Sequence, residues 1–366
     1  MGVPILFQPI SPDVSPIFAR FMDDRSPWDV SRAASPDAPL WDALVSEVGA
    51  ASLLIAEDHG GQGATMLELA AAVAETGRCG WSGPLVATAG VAVWLLRSID
   101  EADASGLQSA IAEEGVVVVA ALHEDARGES LSVAARLEDV DGVTRLNGRK
   151  TFVESGMHAD VFLVPARDAQ GRTVVARVAA DADGVTRTPM DSVDPGRGLA
   201  TIEFAGAQAD VVSPDRDATD AVRDAWLVGA LLTSVDLLGA ALRSFTLARD
   251  YSLVREQFGR PVASFQSIKH KLVDMYGELQ TAYSAVLAAI EAASAESDWR
   301  FAASAAKVRA GDAAMEVLRE SVQVHGGIGF TWEHEISHHF RRVVAGRALY
   351  GTPTRHRELV AAASGF

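Results

Sequence analysis

Cysteine is almost missing from this 366-residue chain: Cys79 stands alone. A single thiol can form no internal disulfide and offers no thiol cluster to zinc, which fits a reducing cytoplasm. Positive charge is also scarce. Lysine occurs four times, and 32 Lys and Arg face 49 Asp and Glu, a net charge of −17. Phosphate backbones and anionic lipid need a basic patch, so neither nucleic acid nor a membrane surface is an expected partner. An anionic ligand would have to be met by a few cations concentrated in one place. No uninterrupted apolar run reaches the roughly 20 residues that span a bilayer. The opening MGVPILFQPISPD has no basic leader, and Pro4 and Pro9 break its short apolar run, so no signal peptide is expected. What is abundant is core. Hydrophobic residues make up 48% of the chain, enough at this length for two or three packed units.

Three zones differ in pattern and set the expected domains at residues 1–115, 116–215 and 216–366. The first reads as helices. LWDALVSEVGA places Leu40, Leu44, Val45 and Val48 on one helical stripe, and MLELAAAVAETGR continues with Leu67, Leu69, Ala70 and Val73. EDHGGQG between them is a glycine-rich turn, and GWSGPL breaks the chain again. The second zone is a series of short β runs, from VVVVAALHE and SLSVAARLEDV to TIEFAGAQ. Asp141-Gly142, Asn147-Gly148 and Asp183-Gly184 mark tight turns among them, as in a small antiparallel barrel or sandwich. The third zone is helical over 221–254, 267–295 and 299–325, where Gly326-Gly327 stops the last helix. Helices of this length suggest a four-helix bundle with an apolar face for oligomerisation. The expected fold class is α+β: an N-terminal helical domain, a middle antiparallel β domain and a C-terminal four-helix bundle.

Two segments of the third zone carry chemistry. In YSLVREQFG, followed by RPVASFQSIKHKLVDM, a helix runs into a loop and Pro261 prevents its continuation. Arg255 and Gln257 sit at that helix end, where a guanidinium can grip a phosphate bidentately. Alone, Arg255 would be an ordinary arginine near a helix C-terminus. In QVHGGIGF, two adjacent glycines let a backbone approach a ligand and present its N–H groups, although a helix stop also uses glycine.

Taken together, RxQFGxPxxxFQxIxHxLxDM and QxxGGxGFTxE resemble the C-terminal domain of the acyl-CoA dehydrogenases. LWDALVSEVGAASLLIAEDHGGQGATMLELAAAVAETGR is similar to that family's N-terminal domain, and LNGRKTFVESGMHAD stands where its middle domain has a KxWITNG-type strand and turn. The resemblance covers nearly the whole chain. It implies a helix–β–helix protomer, FAD as cofactor, an acyl-CoA substrate and an electron-transfer flavoprotein or similar acceptor. It also implies that Arg255, Gln257, Phe258, Gln266, Gln323, Gly326 and Gly327 contact the pyrophosphate and adenosine of an FAD held by the neighbouring chain. Thr352, after the family's glutamate position, is a further implied contact.

The family's α,β-dehydrogenation needs a carboxylate to remove the α proton while a hydride leaves for the flavin. The commonest subgroup places that glutamate just before Gly-Thr near the C-terminus, and here ALYGT puts Tyr350 there. A phenol with a reference pKa of ~10 is a poor base at neutral pH. A second subgroup uses a glutamate on the first bundle helix, where this chain has Ala230 beside Gly229, with Asp236 farther along. The TEPGAGSD loop is replaced by His123–Ser130, whose Asp125 and Glu129 would repel phosphate-bearing ligands. In the KxWITNG region Phe152 replaces the tryptophan and Glu154 the flavin-bonding threonine. Features that a chain uses for its own active site are thus degraded, while those it lends to a neighbour's FAD are kept. The resemblance implies the base-less chain of an α2β2 acyl-CoA dehydrogenase, of a kind known in steroid side-chain breakdown, paired with a homologue that carries the glutamate. Also open are a self-sufficient homo-oligomer using Asp236 or Tyr350, a flavin monooxygenase without a base, and a non-catalytic scaffold.

His334, Glu335 and His338 spell HExxH, the order of a zinc site on a helix. Because the dehydrogenase pattern runs through this segment without a gap, no metal is expected. His325 reads as a packing residue, and Trp81 and Trp94 as core or interface aromatics.

Overall fold

A computed structural model of the protein describes residues 9–26, 38–99, 102–213 and 216–366. Pro4 and the rest of the opening apolar run therefore lie outside the described residues. The N-terminal helices are α1 (Ser15–Arg25), α2 (Ala38–Ser46), α3 (Met66–Cys79), α4 (Val93–Ile99) and α5 (Ala102–Glu114). A π-helical stretch, Val86–Ala92, leads into α4, and all seven of its residues are buried. Helix α3 starts where a Thr65–Glu68 capping box satisfies the free N–H groups of its first turn. Leu40 and Leu44 of the expected stripe are buried, but α2 ends at Ser46, so Val48 packs from the loop that follows.

The middle zone is one sheet in the order β6-β7-β3-β2-β4-β5-β8, with β1 beside β4. Its strands are β1 (Val118–Ala120), β2 (Arg136–Val140), β3 (Val143–Val153), β4 (Val161–Arg167), β5 (Thr173–Ala179), β6 (Val185–Pro189), β7 (Ala200–Gln208) and β8 (Asp210–Val211). The expectation of a purely antiparallel domain needs correction: β1 and β2 both pair parallel with β4, and the sheet is mixed. A long connection between strands permits a parallel pair, which a tight hairpin does not. The run from Ser130 to Ala135 also fails to form a strand. Glu124 takes the backbone N–H groups of Ala134 and Ala135, at 2.6 and 3.1 Å, so this backbone is satisfied without a ladder.

The third zone contains α6 (Thr219–Val254), α7 (Gln266–Ser294), α8 (Trp299–His325), α9 (Glu335–Gly346) and α10 (Pro353–Ala363). Helix α8 lies at the centre of the bundle, against α6, α7, α9 and α10. Helix α6 also packs on α3 and the π-helical stretch, which is why its middle, residues 225–241, is buried on every side. By length and composition α6 could cross a membrane, with a mean hydropathy of 1.8 over its most apolar window, but 94% of that window is buried. Asp236 interrupts its apolar run, and this carboxylate proves to organise the interior.

Candidate functional site

Helix α6 ends because Arg255 turns into an extended conformation (φ −72°, ψ 122°). Glu256-Gln257 then pairs antiparallel with Arg260-Pro261. The turn between them, Phe258-Gly259, has positive φ at both positions (53° and 74°), the geometry of a tight hairpin turn. Phe258 holds this strained conformation with a side chain that is 93% exposed. Arg255, Gln257 and Gln266 are exposed around it, and among the described residues Arg255 forms no ion pair.

The second motif comes to the same place. Tyr251, in the last turn of α6, stacks on His325 at the end of α8, with ring centroids 4.5 Å apart and 20° between planes. Gln323 and Gly327 are exposed beyond the stack. Gly326 needs its glycine for a φ of +67°. Gly327 has no such need, and a Cβ built on it would meet nothing within 4 Å. Neither backbone strain nor packing within this chain therefore explains Gly327. Leu253, Val254, Phe258, Ile328, Phe330 and Trp332 leave the same end of the molecule broadly apolar and exposed.

Thr352 lies elsewhere. Its hydroxyl accepts the Arg355 N–H as the N-cap of α10 and donates to Glu129 Oε1 at 2.8 Å. Beside it the interior is filled by side chains. Tyr350 donates its phenol to Glu154 Oε2 at 3.2 Å, and Glu154 Oε1 accepts from Arg197 Nη1 at 2.8 Å. Arg197 Nη2 reaches Asp236 Oδ2 at 2.6 Å, and Arg342 Nε reaches Asp236 Oδ1 at 3.0 Å. Arg342 goes on to donate to the carbonyls of Gly80 and Trp81, so one chain of contacts ties all three zones together. The Tyr350 ring lies directly on the α6 backbone, where only the missing Cβ of Gly229 makes room. Phe152, Ser155 and Tyr350 all have positive φ here, a concentration of strain typical of a functional site.

Both candidate bases are engaged by other side chains in this arrangement. Burial would raise the Asp236 carboxyl, but Arg342 and then Arg197 more than offset it and hold the group ionised below its ordinary range. A carboxylate locked between two guanidinium groups has no free lone pair aimed at a substrate. Burial, and then the Glu154 charge, push the Tyr350 phenol well above its ordinary value, so it is a hydrogen-bond donor only. Lys307 is fully buried with its Nζ on the Gly346 carbonyl at 2.8 Å, and is pushed down to about 7, first by burial and then by Arg197. A cavity of about 380 Å³ opens nearby between α6, α8 and α10, walled by Trp226, whose indole stacks on His356 at 4.9 Å.

The other expectations find their places. Asp125 turns its carboxylate into its own loop, accepting the N–H groups of Arg127 and Ser130, each at 2.7 Å. Its charge is thereby taken up by the backbone of its own loop. His334 is the N-cap of α9, so it and His338 are not paired along one helix face. His338 binds the Gly80 carbonyl, Glu335 binds Arg243 and His339, and no metal-holding cluster occurs among the described residues. Arg197, Arg342 and Lys307 escaped the sequence reading. Their one signal was Asp236, a lone acid in an apolar run, which requires a buried partner.

Comparison with known proteins identifies the family. The profile "Acyl-CoA dehydrogenase, C-terminal domain" matches residues 220–365. The chain is 31% identical over 317 residues to acyl-CoA dehydrogenase IpdE2 of Mycolicibacterium smegmatis, covering 87% of this chain and 85% of that protein. Among solved structures, the ChsE4-ChsE5 complex from Mycobacterium tuberculosis superposes with a TM-score of 0.88 at 23% identity, over 98% of each chain. The Tcur3481-Tcur3483 steroid ACAD gives 0.86 at 24% identity, over 96% of this chain and 97% of that one. The relative at 31% identity, similar along most of its length, and the profile over the bundle lead to one conclusion: this chain belongs to the acyl-CoA dehydrogenase family.

Proposed function

We propose that this chain is the companion subunit of an FAD-dependent acyl-CoA dehydrogenase, paired in the cytoplasm as an α2β2 heterotetramer with a homologue that carries the catalytic glutamate. One contrast carries the reading. The exposed end built from Arg255, Gln257, Phe258, Gln266, Gln323, Gly326 and Gly327 fits a phosphate-bearing ligand from outside, while the interior is filled by Tyr350, Glu154, Arg197 and Asp236. Gly327, glycine without an internal reason, is the sharpest single support.

On this reading bound FAD supplies the hydride acceptor, and the partner's glutamate removes the α proton of the acyl thioester. The part left to this chain is binding and orientation. Arg255 meets the pyrophosphate as a fixed charge, Gln257 and Gln323 offer amide donors and acceptors, and the Gly326-Gly327 backbone offers N–H groups. The ChsE4-ChsE5 complex and the Tcur3481-Tcur3483 steroid ACAD share this fold, which favours a bulky, steroid-derived acyl-CoA as substrate and a two-chain assembly. An electron-transfer flavoprotein or similar acceptor completes the turnover.

Expression of the chain alone and together with such a homologue tests the proposal. The expected result is a colourless lone chain and a yellow, active complex with one FAD per pair of chains. A lone chain that binds stoichiometric FAD and dehydrogenates an acyl-CoA would overturn it.

A further inference from the structure

The two segments of the exposed end come from different helices; among the described residues no strand joins them, and the lone Cys79 can form no disulfide. Three rings do. Tyr251 of α6 stacks face to face on His325 of α8, and His325 meets His334, the N-cap of α9, edge-on at 4.7 Å and 64°. Each histidine is oriented by backbone. The Nδ1 of His325 lies 2.8 Å from the Ser321 carbonyl, so that nitrogen carries the proton. The Nδ1 of His334 accepts the Ile336 N–H at 3.2 Å, so there the proton is on Nε2. The ladder begins four residues before Arg255, spans the residue that precedes Gly326-Gly327, and ends where α9 begins.

We infer that Tyr251, His325 and His334 are positioning residues that hold hairpin 255–261 and glycine loop 326–330 in one register, so that both face the same ligand. The identity of that ligand, the neighbour's FAD, rests on the companion-subunit reading; the coupling of the two segments does not.

Amide hydrogen exchange on the full chain by itself tests the coupling. Tyr251→Ala and His325→Ala should each speed exchange in both segments, roughly two- to tenfold from the strength of an aromatic pair, and leave β3 and β7 unchanged. Tyr251→Phe and His325→Phe should restore wild-type protection, because a ring is what the stack needs. Loosening confined to the mutated residue's own segment would overturn the inference, as would equal loosening by the Phe variants. If an Ala variant does not fold, His334→Asn removes the edge-on ring while keeping a capping side chain, and should loosen the glycine loop in the same way. In the co-purified complex, the Ala variants should release FAD severalfold faster with KM for acyl-CoA unchanged, again rescued by Phe. A wild-type chain that holds stoichiometric FAD alone would end the companion reading, while the exchange result would still decide the role of the rings.

Discussion

Tyr350 donates its phenol to Glu154 at 3.2 Å, across an interior where the two residues come from the C-terminal bundle and the β domain. Both stand at positions where the family resemblance implies active-site residues, and each satisfies the other. Tyr350→Phe should cost only about 1 kcal/mol in urea denaturation, since Glu154 keeps its Arg197 partner. Tyr350→Glu should not restore a base. It would place a second carboxylate against Glu154, and we expect a loss of about 2–4 kcal/mol with no dehydrogenation by the lone chain. Activity in that variant would contradict the filled interior.

Asp236 stands between Arg197 and Arg342 with 1% of its surface exposed. Removing it leaves the buried Arg342 guanidinium without a carboxylate partner and Arg197 with only Glu154 and Asp194. Asp236→Ala should therefore destabilise the protein by roughly 3–5 kcal/mol, the usual cost of breaking a buried pair. Equilibrium unfolding measures this directly, and a change within about 0.5 kcal/mol, as at a surface site, would contradict the role assigned to it.

Gly229 and Gly327 should respond in opposite ways to the same substitution. A Cβ at Gly229 would overlap the Tyr350 ring, so Gly229→Ala should lower stability by about 1–3 kcal/mol. Gly327→Ala should leave the stability of the lone chain nearly unchanged and show its effect only as weaker FAD retention in the complex. Thermal melts of the two lone-chain variants and flavin content of the complexes separate these outcomes.

Acid should weaken the fold well before most carboxylates titrate. His123, His338 and His356 are buried and neutral, each pushed down to about 4, chiefly by burial. In the unfolded chain they take up protons near pH ~6.5, so stability is complete above that value and falls as pH drops toward 4. Each histidine contributes a slope of up to about 1.4 kcal/mol per pH unit in this window. Glu335 extends the loss downward: burial would raise it, but hydrogen bonds from His339 and Arg243 hold it at about 2, against 4.5 when unfolded. The urea midpoint should drop steeply from pH 6.5 to 4, and a flat profile between pH 7 and 5 would refute this account.

Arg255→Ala should leave lone-chain stability within about 0.5 kcal/mol, because among the described residues the exposed side chain carries no ion pair. In the complex it should weaken FAD binding by roughly tenfold or more, the worth of one charge-assisted phosphate contact. Titration of FAD into the apo-complex checks both halves.

Much of this protein was legible before any coordinates. The long helices announce themselves through sustained apolar periodicity and end within a residue or two of where glycine, Pro261 and chain polarity place them. The absence of a glutamate before Gly351 and on the first bundle helix is also a property of the chain read in order. The strands were harder. Ser130–Ala135 carries a strand-like pattern, but the Glu124 carboxylate satisfies its backbone, and no local pattern reports a partner so far along the chain.

The sequence by itself thus determined the family, the order of the three units and the presence of Tyr350 in place of a glutamate before Gly351, because these depend on motifs and local periodicity. Only the tertiary structure decided that Tyr350, Glu154, Arg197, Asp236 and Arg342 form one buried chain, and that Tyr251 and His325 bring the two motifs together. Such contacts join residues far apart in the chain. They follow from how long helices and a sheet pack in space, where a buried charge must find its partner wherever the fold puts one.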